Sequence, residues 1–148
     1  MPSTHLSLHA HIVFSTKKRR PFIAPEWRDR LHAYLGGAAR HEGAVAKCVG
    51  GVEDHVHILL ELKATHSVAD IVRGIKSASS AWVHTDLGVR EFGWQDGYGA
   101  FTVSPRGRLA VINYIVNQER HHAQTTFPDE YVKLLEEAEV EYDPQYLW

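Results

Sequence analysis

The sequence predicts one α+β domain over residues 1–148: a ferredoxin-like antiparallel sheet in the order strand, helix, strand, strand, helix, strand, with helices on one face. Two histidine-bearing stretches alternate apolar and polar residues with the period of a strand. Two longer stretches place apolar residues at helical spacing, and glycine or proline stands at most junctions between these segments. A chain of 148 residues suits a single domain with a substantial core.

In the first stretch, residues 5–14, Leu6, Leu8, Ala10, Ile12 and Phe14 form the expected core face, and His5, His9 and His11 share the other. The basic run Lys17-Lys18-Arg19-Arg20 follows, a loop suited to phosphate contacts. Pro25 opens a helix whose stripe is Trp27, Leu31, Tyr34, Leu35 and Ala38, reaching about Glu42. Gly43 ends it. Ala44 to Val49 read as the second strand, Gly50-Gly51 as a turn, and the stretch to Leu62 as its hairpin partner. There Val56, Ile58, Leu60 and Leu62 point one way, and His55, His57, Leu59 and Glu61 the other. Ser67 with Asp70 resembles a capping box for a helix whose stripe is Val68, Ile71, Val72, Ile75, Ser79 and Trp82. Arg73 and Lys76 lie off that stripe, where they can face a ligand. Tyr98 to Val103 form the last strand, and Ser104-Pro105 start a third helix running to His122. A final amphipathic helix spans about Pro128 to Glu139.

This topology puts the first and third strands side by side at the centre of the sheet. Their apolar sides must meet the first two helices, so the side bearing His9, His11, His55 and His57 is expected to face outward, uncovered. Imidazoles two residues apart on one strand face stand about 6–7 Å apart, which suits two ligands of one metal ion. In the third helix the apolar stripe reads as Leu109, Ile112, Ile115 and Val116, with Tyr114, Gln118 and His121 roughly opposite. Gln118 offers an amide oxygen as a third ligand beside His55 and His57, and Tyr114 presents a phenol next to that ion. Two imidazoles and one amide oxygen leave positions open for water and substrate oxygens, as a Lewis acid acting on a phosphodiester needs. His121, His122, His9 and His11 all remain candidates for proton acceptor or supporting partner.

The formal charge is −2, but it is unevenly spread. Residues 129–148 hold seven acidic residues against Lys133, so the rest of the chain carries a net +4 and an acidic tail follows it. A basic body can hold a phosphate backbone whatever the total charge. The single Cys48 excludes an intramolecular disulfide. With no apolar run long enough for a bilayer and no signal-peptide pattern, a cytoplasmic protein without membrane contact is expected.

Asp54-His55-Val56-His57-Ile58-Leu59 resembles the His-hydrophobic-His (HUH) motif, and Tyr114 with Gln118 resembles the Tyr-x-x-x-Gln motif that accompanies it. Ile12-Val13-Phe14-Ser15-Thr16-Lys17 and Gln95-Asp96-Gly97-Tyr98-Gly99-Ala100-Phe101-Thr102-Val103-Ser104 complete the pattern. Together they resemble the single-tyrosine HUH transposases of the smallest bacterial insertion sequences, the IS200/IS605-like enzymes, and their REP-associated relatives. The likeness spans roughly residues 5 to 130. It implies a metal-dependent DNA strand transferase acting on hairpin-bearing single-stranded DNA. Tyr114 would form a 5′-phosphotyrosine link and free a 3′-hydroxyl, and His55, His57 and Gln118 would hold Mg²⁺ or Mn²⁺. It also implies a homodimer, commonly with the tyrosine helix of one subunit completing the site of the other; placement in cis or in trans is left open. Lys17, Arg19, Arg20, Arg73 and Lys76 are inferred phosphate contacts from their charge and position alone.

Two other classes share part of this pattern. A non-catalytic binder of structured single-stranded nucleic acid, as a domesticated transposase would be, keeps the fold without cleavage. A histidine-triad nucleotide hydrolase also alternates histidines along a strand, but its third would fall at Leu59.

Overall fold

The computed structural model describes residues 3–147. Its sheet is antiparallel and four-stranded, ordered β2-β3-β1-β4, with β1 at His9–Ser15, β2 at Val45–Gly51, β3 at His55–Glu61 and β4 at Gly99–Thr102. Helices α1 (Pro25–His41) and α2 (Val68–Asp86) cover one face. The expected strand and helix order is present, with β1 and β3 at the centre.

The main core lies between those helices and the sheet. Ile12, Phe14, Val56, Ile58 and Leu60 meet Leu31, Leu35, Ile71, Ile75 and Val83, all 3% exposed or less. Burying one such side chain fully contributes roughly 1.5–3 kcal/mol, so this layer holds the central strands rigidly. Pro25 stands at the start of α1, and Gly43 just past its end takes φ 85°, a conformation that other residues adopt at a cost. At α2 the capping box is half made: Ser67 accepts from the Asp70 backbone N–H at 3.4 Å, while the Asp70 carboxylate pairs with Arg73. Ser79 belongs on the buried stripe because its hydroxyl donates to the Ile75 carbonyl and accepts from the Trp94 indole.

Several expectations need correction. The first strand begins at His9, because register with β3 ends at the His9–Glu61 pair; Leu6 and Leu8 lie beyond it, 51% and 43% exposed. Gly50 and Gly51 pair within β2, and the turn is Val52–Asp54. The third helix is broken into α3 (Arg108–Val116) and α4 (Gln118–His122). At the break the Asn117 side chain donates to the Asn113 carbonyl at 2.8 Å, competing with the backbone for the same acceptor.

The largest difference concerns the histidine side of the sheet. That side is not open: His55 and His57 are both 0% exposed. The chain's own C-terminal helices cover it. Ile115 of α3 packs on Leu59 and Val103, while Phe127, Tyr131 and Leu135 of α5 (Phe127–Glu137) pack on Val13. Among the described residues no helix is long and apolar enough to cross a membrane.

Candidate metal and nucleophile site

Between α3–α4 and α5 the two strand histidines meet Glu130, a carboxylate only 2% exposed. Its two oxygens face different partners. Oε1 lies 3.1 Å from His55 Nε2, 3.2 Å from His57 Nε2 and 2.9 Å from His122 Nε2. Oε2 accepts the Tyr114 hydroxyl and, at 3.1 Å, the Gln118 amide, and His121 Nε2 approaches it to 3.4 Å. Gln118 Oε1 turns back to His55 Nε2 at 3.0 Å.

Each imidazole is held from behind. His55 Nδ1 donates to Asp54 at 2.7 Å, and His122 Nδ1 to the Thr125 carbonyl at 2.6 Å. His57 Nδ1 lies 2.8 Å from His11 Nε2, one ring donating to the other. Tethering Nδ1 fixes ring orientation and leaves Nε2 aimed at the common centre, as metal-binding histidines require. Ligand atoms of His55, His57, His122 and Glu130 all lie within 4.8 Å of one another, so this set could hold a metal ion. The residues present therefore fit a divalent cation.

The electrostatics follow from burial and these contacts. Burial opposes charge on His55, but hydrogen bonds to Asp54 and Glu130 outweigh it and push its pKa up to about 9. At His57 burial prevails over the pull of Glu130, and the value falls to about 4. His11 is driven down to about 3, by burial and then by His57. Burial alone would raise Glu130; hydrogen bonds from His122, His55 and His57 instead hold it well below the usual carboxylate range. Tyr114 is raised, first by burial and then by its bond to the Glu130 anion, so its phenol keeps its proton until that proton has somewhere to go.

The site thus brings together His55, His57, Gln118, Tyr114, His11, His121 and His122. His9 stands apart, 3.4 Å from Arg108. The apolar stripe assigned to the third helix is partly inverted: Leu109 and Val116 are 68% and 61% exposed, while Gln118 is 1% exposed. The covered arc is instead Val111, Tyr114, Ile115 and Gln118, an i, i+3, i+4, i+7 pattern that mixes polar with apolar groups.

Glu130, one of the seven acidic residues of the C-terminal stretch, belongs to the site and not to a solvated tail. A signal for it was present. In the last helix Phe127, Tyr131, Leu134 and Leu135 form the apolar stripe, and Glu130 sits within that stripe at helical spacing. A carboxylate on the covered face of an amphipathic helix must find partners inside.

Of the inferred phosphate contacts, Lys17, Arg19, Arg20 and Arg73 are exposed, Arg73 paired with Asp70. Lys76 is differently engaged. Its ammonium donates to the Gln95 and Gly97 carbonyls at 2.8 and 2.6 Å, and burial lowers its pKa to about 8. It ties down the loop before β4.

A family described as "Transposase IS200 like" matches residues 4–118. The chain belongs to the IS200-like transposase family. Within the matched stretch lie His55, His57, Tyr114 and Gln118; His122 and Glu130 follow it. The ISDra2 transposase TnpA of Deinococcus radiodurans is 27% identical over 117 residues, covering 75% of this chain and 84% of that protein. The crystal structure of a Deinococcus radiodurans R1 protein assigned as a transposase superposes with a TM-score of 0.63 at 25% identity, covering 80% of this chain and 96% of that one. The REP-associated tyrosine transposase bound to a REP hairpin shares the fold at TM-score 0.61 and 13% identity, over 84% of this chain and 76% of that one.

Proposed function

We propose that this IS200-like transposase cuts and rejoins hairpin-bearing single-stranded DNA through a 5′-phosphotyrosine link at Tyr114. In this reading one domain, residues 1–148, works in the cytoplasm with a divalent cation, Mg²⁺ or Mn²⁺. The observation that carries the reading is the Glu130 carboxylate, which receives the Tyr114 hydroxyl on one oxygen and three converging imidazoles on the other.

The cation ligands are drawn from His55, His57, Gln118, His122 and Glu130. Imidazole-rich sets favour Mn²⁺ over Mg²⁺, which prefers oxygen. Bound there, the cation would polarise a phosphodiester oxygen and ease departure of the leaving group. The remaining work falls to the chain. Glu130 Oε2 takes the phenol proton as the Tyr114 oxygen attacks phosphorus; the P–O3′ bond breaks, and that proton passes from Glu130 to the departing 3′-oxygen, which leaves as a hydroxyl. Rejoining reverses the step, so the phosphodiester energy is kept and no nucleotide cofactor is consumed. Asp54 and His11 hold His55 and His57 in position. Tyr114 reaches the cluster within one chain, which supports placement in cis.

A hairpin substrate is carried over from the neighbour bound to a REP hairpin. Lys17, Arg19, Arg20 and Arg73 are proposed phosphate contacts on the exposed surface. A homodimer is supported by Leu109 and Val116 standing in solvent on α3, which packs against the edge strand β2 with its exposed Val45.

Incubation with hairpin-bearing single-stranded DNA and Mn²⁺ should give a covalent adduct that survives denaturing electrophoresis. Tyr114→Phe should abolish it. Persistence of the adduct would refute Tyr114 as nucleophile, and DNA binding with no adduct in the wild type would favour the non-catalytic binder.

A further inference from the structure

Beside Tyr131 and Leu135 of α5, on the covered stripe that also carries Glu130, is a cavity of about 730 Å³. Clefts of about 300–1,000 Å³ are the usual size for small organic ligands. Its walls come from the basic turn after β1, the Trp94–Tyr98 loop, α5 and the segment Val140–Leu147. That last segment lies outside the stretch matched by the family.

The lining has three kinds of chemistry. Tyr98, Tyr142 and Tyr146 offer aromatic rings, and Tyr146 is 80% exposed beside the cavity. Lys17 and Lys18 stand at the rim, both exposed. Asp96 and Gln95 contribute an acceptor and an amide between them.

The floor is fixed. Trp94 is tied to Ser79, Gln95 exchanges hydrogen bonds with the Ser15 backbone, and Lys76 grips the loop from below. At the rim Lys18 and Arg19 both take left-handed backbone, φ 56° and 55°. That conformation is uncommon for residues with long side chains, and where it persists the surroundings hold it in place. Here it turns the basic run around the cavity mouth.

We propose that this cavity seats one unstacked nucleobase of the single strand. The base would lie against Tyr142 and Tyr146, its polar edge would meet Asp96 and Gln95, and its flanking phosphate would rest on Lys17 and Lys18. The inference rests on the DNA reading above and adds a site to it. Flat apolar rings, a cationic rim and polar groups for a base edge are what a single-stranded nucleotide presents in complement. Because α5 lines the cavity with Tyr131 and Leu135 and the cluster with Glu130, a strand threaded past α5 can engage both.

The test compares a fluorescent oligothymidylate of about ten nucleotides, within the site size of single-strand binders, with an abasic sugar-phosphate oligomer of the same length. Oligothymidylate should bind about 5- to 150-fold more tightly, the range for stacking of one base. In the double variant Tyr142→Ala, Tyr146→Ala that advantage should vanish while abasic binding stays unchanged. Lys17→Ala with Lys18→Ala should weaken both probes and lower the salt slope by about 0.7. Equal binding of the two oligomers by the wild type, or an undiminished preference in the tyrosine variant, overturns the nucleobase site while leaving the transposase reading standing. Free thymidine monophosphate competing as well as the oligomer overturns the strand as occupant in favour of a free nucleotide. Failure to bind any single strand, hairpin-bearing DNA included, sinks the DNA reading itself.

Discussion

Replacing Glu130 by glutamine removes one negative charge from the centre of the site without changing its volume, so no cavity is created. The carboxylate is 2% exposed and accepts from His122, His57, Gln118 and Tyr114, with His55 at ion-pair distance. A hydrogen bond to a charged group contributes about 1.5–3 kcal/mol, against about 0.5–1.5 for a neutral one. Losing the charge therefore costs about 1 kcal/mol at each of the imidazole contacts. On the other side the new amide nitrogen faces hydrogen-bond donors, and Tyr114 must rotate its hydroxyl to accept. A total of about 2–4 kcal/mol follows, and in a chain of this size each kcal/mol lowers Tm by roughly 3–4 °C. Thermal melts of Glu130→Gln in chelator at neutral pH should thus fall by about 6–16 °C. Titration with Mn²⁺ should then raise the Tm of the wild type well above that of the variant, since ligand binding stabilises by RT ln(1 + [L]/Kd). An unchanged metal-free Tm together with an unchanged Mn²⁺ shift would show that this carboxylate neither organises the imidazoles nor binds the ion.

Gly50 lets α3 approach β2: a Cβ there would lie 2.3 Å from the Ile115 carbonyl oxygen and 2.8 Å from its Cγ2. Gly50→Ala should cost about 1–3 kcal/mol by overpacking and displace Tyr114, lowering Tm and adduct yield. Gly37→Ala, with nothing within 4 Å of the added methyl, should be neutral or stabilising by about 0.5–1 kcal/mol. The metal-free protein should be most stable near pH 6.5, as read from Tm across pH. His55, raised to about 9, contributes stability that is complete below pH 6.5 and lost as pH rises through 9. His11 and His57, lowered to about 3 and 4, make the unfolded chain the better proton binder, so stability also falls as pH drops from 6.5 towards those values. A flat profile between pH 6.5 and 9 would contradict the His55 assignment. Leu109→Glu with Val116→Glu, at positions 68% and 61% exposed, should convert a dimer to monomer in sedimentation and lower Tm only by the stabilisation that association supplies; a dimer that survives places the interface elsewhere.

Strand periodicity determined the relation between β1 and β3. Because side chains alternate strictly, His11, His55 and His57 had to share one face, and the βαββαβ order had to put their strands side by side. The spacing of Tyr114 and Gln118 likewise determined that these two side chains neighbour each other, and this survives the helix break at Asn117. What period alone cannot rank is which side of a short helix is covered. Ile115 is common to both arcs; the one holding Val111, Tyr114 and Gln118 competed with the one holding Leu109 and Val116, and the sheet surface at Gly50 and Leu59 decided between them.

Glu130 and Lys76 show the same division from the side of charge. In a count of charged residues the one joined an acidic tail and the other a basic surface, because a count is blind to burial. The tertiary structure turned the carboxylate inward onto three imidazoles and a phenol, and the ammonium onto two loop carbonyls. The sequence by itself determined which groups were available and which of them share a strand face or a helix side, since those are matters of local period. Only the folded chain decided that α5 covers the histidines, because that contact joins residues more than seventy positions apart and depends on the complementary shapes of two surfaces.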